Sequence, residues 1–93
     1  MSYIQTPLFP LGSVVITATA NECLNHTEVQ LAIRRHINGD WGNLDSDDAN
    51  ANESALKHGG RILSSYISSD ETRFWIITEA DRSSTTILLP EDY

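Results

Sequence analysis

Apolar spacing changes once along this chain, at Gly59-Gly60, and that change limits the fold more than any other feature. Ahead of the glycine pair the longest patterned stretch repeats at three- and four-residue intervals; from Arg61 onward apolar and polar residues alternate. Arg61 to Ile67, Arg73 to Glu79 and Thr85 to Leu89 read as strands. They are joined by the short polar connections Ser68-Ser69-Asp70-Glu71-Thr72 and Ala80-Asp81-Arg82-Ser83-Ser84. Consecutive strands with short connections form an antiparallel meander. One more strand, β-branched and apolar, is expected earlier, at Ser13-Val14-Val15-Ile16-Thr17. Helices and strands thus fall in separate parts of the chain, which predicts α+β and not alternating α/β. The expectation is one domain over residues 1–93, with an antiparallel sheet of about four strands (the N-terminal strand plus the meander) packed against two to three helices.

The helical part divides at turn signals. Met1 to Gly12, with Pro7 and Pro10, is an extended lead-in whose Leu8, Phe9 and Leu11 are expected to tuck against the core. Ala18 to Leu24 forms a short helix capped by Thr17 or Thr19. Val29, Ala32, Ile33, His36 and Ile37 make one apolar stripe on a second helix, for which Thr27-x-x-Gln30 matches a capping box and Asn38-Gly39 a stop. A third helix opens at Asp45 or Ser46, carries Asp47 and Asp48 where the helix dipole favours anions, and ends at Lys57 or His58 before the glycines. Its apolar face is thin (Ala49, Asn52 or Glu53, Leu56), which places it at the surface.

Charge narrows the partners. Six basic residues oppose thirteen acidic ones, a net −7. A phosphate backbone is repelled by such a field, so a protein partner with a basic surface is expected and direct nucleic-acid binding is not. Val14-Val15-Ile16 is too short to span a bilayer, and the first ten residues lack a basic region followed by an apolar one; the expectation is a cytoplasmic protein without membrane attachment. Cys23 is the single cysteine, so it forms no intrachain disulfide and no thiolate zinc site, and is read as a small buried hydrophobe. His26, His36 and His58 match no zinc spacing. No metal and no cofactor are expected. Homo-oligomerisation stays open, since an edge strand can be completed by another copy.

Two groups of residues carry candidate chemistry. Asp40, Asp45, Asp47, Asp48 and Glu53 occupy a stretch without lysine or arginine. Asp45-Ser46-Asp47 starts like a calcium loop, but Asn50 stands where glycine is needed and Leu56 where the bidentate glutamate belongs. Carboxylates spaced on a helix can instead imitate a phosphate track and occupy a basic channel; a solvated helix face with acids near its N-terminus accounts for the same residues. Trp41, in the loop Asp40-Trp41-Gly42, is either an anchor for a partner or a lid on the core. The second group is Glu79, Arg82, Arg61 and His58. A carboxylate base, a histidine and arginines are the parts of a metal-free ribonuclease. The same turn is also explained by Asp81 closing an Asx turn and Arg82 pairing with a carboxylate to hold it.

Three segments, Arg35-His36-Ile37-Asn38-Gly39-Asp40-Trp41-Gly42, Gly59-Gly60-Arg61-Ile62-Leu63-Ser64-Ser65-Tyr66, and Trp75 to Pro90, resemble a family of small bacterial proteins carried by phages, plasmids and other mobile elements. Some of its members are labelled as a methylation subunit of a type I restriction enzyme. A methyltransferase needs a doubly wound sheet and a glycine-rich cofactor turn, and this chain has neither the length nor the glycines. The resemblance implies a mobile-element setting, in which small acidic proteins often block restriction or CRISPR defences. The expectation is therefore a non-enzymatic protein that binds a partner protein, with anti-defence inhibition as its concrete form. A small ribonuclease and an oligomerising accessory subunit are the alternatives.

Overall fold

Val14, Val15 and Ile16 are stiff at Cβ and suit an extended backbone, and they make the first strand, β1 (Ser13–Ile16). The structure, a computed structural model, describes residues 7–93; the first part of the expected lead-in, residues 1–6, lies outside them. Three helices follow: α1 (Ala18–Cys23), α2 (His26–Ile37) and α3 (Ser46–His58). Then come β2 (Ile62–Ile67), β3 (Arg73–Thr78), β4 (Ser84–Leu88) and a closing 3₁₀ turn, Pro90–Asp92. The α+β class, the four strands and the three helices agree with the sequence reading.

The sheet order is β1-β4-β3-β2. The meander is antiparallel, with Ile76 opposite both Ser64 and Ile87. One pairing differs from the expected antiparallel sheet: β1 runs parallel to β4, Val15 beside Thr86. No hairpin links these two strands. The whole helical block and two strands lie between them, so the direction of β1 is free of any turn constraint.

Alternation sends Ile62, Ser64, Tyr66, Phe74, Ile76, Thr78, Thr85 and Ile87 to one face, and all are buried. Ala20 and Leu24 of α1 and Val29 and Ala32 of α2 pack there on Tyr66, Phe74, Ile76 and Ile87. A second cluster joins Ala55 of α3 to Phe9, Trp41 and Ile62. His36, at the end of the α2 stripe, is completely buried among Ser64, Thr78 and the ring of Phe9.

Several local expectations are corrected. The α2 cap is Asn25, whose side chain accepts from the amides of Thr27 (2.9 Å) and Glu28 (3.2 Å), so Thr27 lies inside the helix. Leu8 points to solvent while Phe9 is buried. Cys23, expected to be buried, is exposed at the end of α1, whose core residues are Ala20 and Leu24. On α3 the inward residues are Asn52 and Ala55, and Glu53 faces outward.

Asn52 has a defined task. Its amide nitrogen donates to the Leu63 carbonyl (2.7 Å) and its amide oxygen accepts from the Leu63 N–H (3.1 Å), closing the outer edge of β2 at that residue. At Ser65 the loop before α3 takes over: Ser65 N–H donates to the Trp41 carbonyl (3.1 Å) and Asn43 N–H donates to the Ser65 carbonyl (2.7 Å). Gly42 makes this approach feasible, since its φ is +73° and a Cβ there would lie 2.0 Å from the Ser65 oxygen. Among the described residues no helix is long and apolar enough to cross a membrane.

Candidate functional site

The acidic residues singled out from sequence divide into those with an internal partner and those without. Asp40 is paired: Arg35 Nε lies 2.7 Å from its carboxylate, and the Gly42 amide donates to it as well (3.2 Å). The guanidinium beside it holds the Asp40 carboxyl below the usual range, and Asp40 in turn raises Arg35. Asp45 is the α3 N-cap, accepting from the Asp48 amide at 2.8 Å. Glu53 accepts from the indole N–H of Trp41 at 3.0 Å. Trp41 itself is 7 % exposed and lies beside Phe9 and His36, so its ring is a core lid and is not offered to a partner.

What remains is a helix carrying Asp45, Asp47, Asp48 and Glu53, all exposed. The described residues contain two ion pairs, Arg35–Asp40 and Arg61–Glu79, and neither involves α3. A neutral N–H supplies no counter-charge, so Asp45 and Glu53, like Asp47 and Asp48, have no ion partner among the described residues. Lys57 and His58 stand only in the last turn.

The second group converges in part. Arg61 Nε is 3.6 Å from Glu79 Oε1, and Arg61 also donates to the Tyr93 hydroxyl (2.9 Å). Arg82, at φ +60°, turns its guanidinium inward. It donates to the carbonyls of Gly60 (2.6 Å), Glu79 (3.0 Å), Ala80 (3.3 Å) and Ala55 (3.1 Å). The Ala55 and Gly60 contacts tie the β3–β4 turn to the end of α3, and the Glu79 and Ala80 contacts close the turn on itself; among the described residues Arg82 thus pairs with backbone carbonyls and not with the carboxylate expected from sequence. His58 is exposed on the last turn of α3 and bonds to neither Glu79 nor Arg82. Asp81 closes an Asx turn by accepting from the Ser83 amide at 3.0 Å.

Sequence reasoning missed a third feature, on the face of the sheet away from α1 and α2. There Arg61, Leu63, Trp75 and Ile77 form a shallow groove beneath Tyr93. The Tyr93 ring stands edge-on to Trp75, with centroids 5.8 Å apart. The Asp92 carboxylate sets this position by accepting from the hydroxyls of Thr17 (2.7 Å) and Thr19 (2.5 Å). Those hydroxyls hold the Asp92 carboxyl below its ordinary value. Nothing in the sequence spacing links residues 17 and 92; only the β1–β4 pairing does.

Among the described residues no group of three or more His, Cys, Asp or Glu side chains is placed to hold a metal ion. Comparison of the chain with protein-family models, with curated proteins and with solved structures returns no match in any of the three.

Proposed function

We propose that this chain is a non-enzymatic binding protein whose α3 carboxylates dock on a basic surface of a partner protein, in the place where that partner would hold nucleic acid. One observation carries the reading: Asp45, Asp47, Asp48 and Glu53 stand exposed on one helix without an ion pair among the described residues. Exposed carboxylates without counter-charges sum to a field that steers and orients a cationic partner. Inhibition of a host nucleic-acid-targeting defence in the cytoplasm is the concrete form, supported by the resemblance to mobile-element proteins. The arginine that a ribonuclease would need, Arg82, is engaged by four carbonyls, and this favours binding over cleavage.

The test uses amide replacements that spare the fold. Asn caps a helix as well as Asp does, and the Gln oxygen can still accept from the Trp41 indole. The D45N/D47N/D48N/E53Q variant therefore loses charge while keeping both hydrogen bonds. The reading expects the immobilised native chain to retain a basic protein that free nucleic acid displaces, and the amide variant to release it with unchanged circular dichroism. Equal retention by the two proteins would overturn it.

A further inference from the structure

The two edges of the sheet are finished differently. β2 has its outward amides occupied by Asn52 and by the Trp41–Asn43 loop, whereas β1 does not. In β1 the N–H groups of Ser13 and Thr17 donate toward β4, to the carbonyls of Ser83 and Ile87 (3.0 Å each). Alternation then turns the backbone groups of Val14 and Ile16 outward. No hydrogen bond is made to them among the described residues. The strand is short, at four residues, but carries no charge, no proline and no bulge to guard an open edge. Val14 is 48 % and Val15 49 % exposed. Beside the strand runs an apolar groove walled by Val29 and Ile33 of α2, continuing past Val14 to Leu8 and Ile37.

We propose that a second copy of this chain occupies that edge, the two β1 strands pairing antiparallel about a two-fold axis through Val15. Charge selects the occupant. Neither β1 nor any residue lining the groove is Asp, Glu, Lys or Arg, although the chain carries −7. A basic partner finds no counter-charge there, while two like-charged copies find a long uncharged seam along which they can meet. The backbone selects the register. With the axis at Val15, Val14 faces Ile16 of the second copy, and every outward N–H and C=O of both strands is paired. Moving the axis to Val14 sets Ile16 against Gly12, whose φ of +64° lies outside the strand region. Moving it to Ile16 sets Val14 against the start of α1. The product is one continuous eight-stranded sheet with an isologous interface.

The experiment is sedimentation equilibrium combined with cysteine crosslinking. The native chain is expected at twice its 10.3 kDa mass. Val15→Lys, which places two ammonium groups together on the axis, is expected at the single-chain mass with unchanged circular dichroism. In a Cys23→Ser background, Val15→Cys sits opposite itself in a non-hydrogen-bonded pair, with Cβ atoms about 4.5–5.5 Å apart. It is expected to oxidise to a covalent dimer, and Val14→Cys, about two residues off its mate, is not. A native chain that stays monomeric, a Val15→Lys chain that stays dimeric, or equal crosslinking at Val14 and Val15 would each overturn the proposal. The inference is independent of the α3 reading, because the amide variant keeps β1 intact and Val15→Lys keeps α3 intact.

Discussion

Burial leaves His36 with only hydroxyl partners, and their protons fix its state. The Leu11 carbonyl can only accept, so the Thr85 hydroxyl gives its proton there (2.8 Å). Thr85 then accepts from Thr78 (2.7 Å), and Thr78 accepts from His36 Nε2 (2.9 Å). Nδ1 is left as the acceptor for Ser64 (2.5 Å). Nε2 therefore carries a proton, and with no carboxylate in this chain of groups to offset a positive charge, burial favours the neutral ring with Nδ1 accepting. Burial pushes the His36 pKa down to about 4 from an ordinary 6.5. Between those values the unfolded chain binds a proton that the folded chain refuses, so stability falls as pH drops from 6.5 toward 4 and levels off below. The loss amounts to roughly 3 kcal/mol at about 1.4 kcal/mol per pKa unit. Urea midpoints across this window should trace that slope, and His36→Gln should flatten it whatever its baseline stability; an unchanged slope in the variant would assign the titration elsewhere. Arg82 is the other residue whose surroundings fix its role. Arg82→Ala frees carbonyls of Ala55 and Gly60, and a loss of about 2 kcal/mol in chemical denaturation is expected.

At the scale of elements, short-range rules place the helices and strands, and longer-range contacts decide how they end. Thr27 and Asn25 both satisfy the sequence rule for a cap, but only Asn25 has its oxygen within reach of two free amides. Asn25→Ala should lower stability by about 1 kcal/mol, and Thr27→Ala, a mid-turn position, by much less in the same thermal melt. Asn52→Ala strips both edge groups of Leu63 of their partners, and a cost of about 2 kcal/mol is expected. The contrast explains what the sequence discloses. Strand spans, the α2 stripe and the limits of α3 follow from neighbours within a few residues, so periodicity exposes them. The parallel β1–β4 pairing, the closure of β2 by Asn52 and the capture of Arg82 by Ala55 and Gly60 join residues that no spacing rule connects. The candidate site shows the same division. The α3 carboxylates are visible as composition, whereas the loss of Trp41 to the core and of Asp40 to Arg35 depends on how the loop folds back. Cys23 reads as buried only until the α1 face is known.

At the scale of the whole molecule the proposed docking and the proposed dimer depend on charge in opposite ways and on different surfaces, and salt separates them. Two copies at −7 each repel as they approach, and the β1 seam itself has no charge to be screened. Added salt shortens the screening length from about 8 Å at physiological strength to about 3 Å at 1 M, removing the repulsion and leaving the backbone pairing and apolar contact. Dimer dissociation constants should therefore fall several-fold as salt rises. Docking of the α3 carboxylates on a basic partner gains from attraction, so it should weaken over the same range. The D45N/D47N/D48N/E53Q variant supplies the internal control. It removes four negative charges distant in sequence from β1, which should tighten the dimer at low salt and reduce its salt dependence while abolishing capture of the basic partner. Sedimentation equilibrium at two ionic strengths on the native and amide chains measures the first effect, and retention on the immobilised chains measures the second. A dimer that loosens with salt would mean that ionic contacts hold it, and the uncharged β1 edge would then not be its interface.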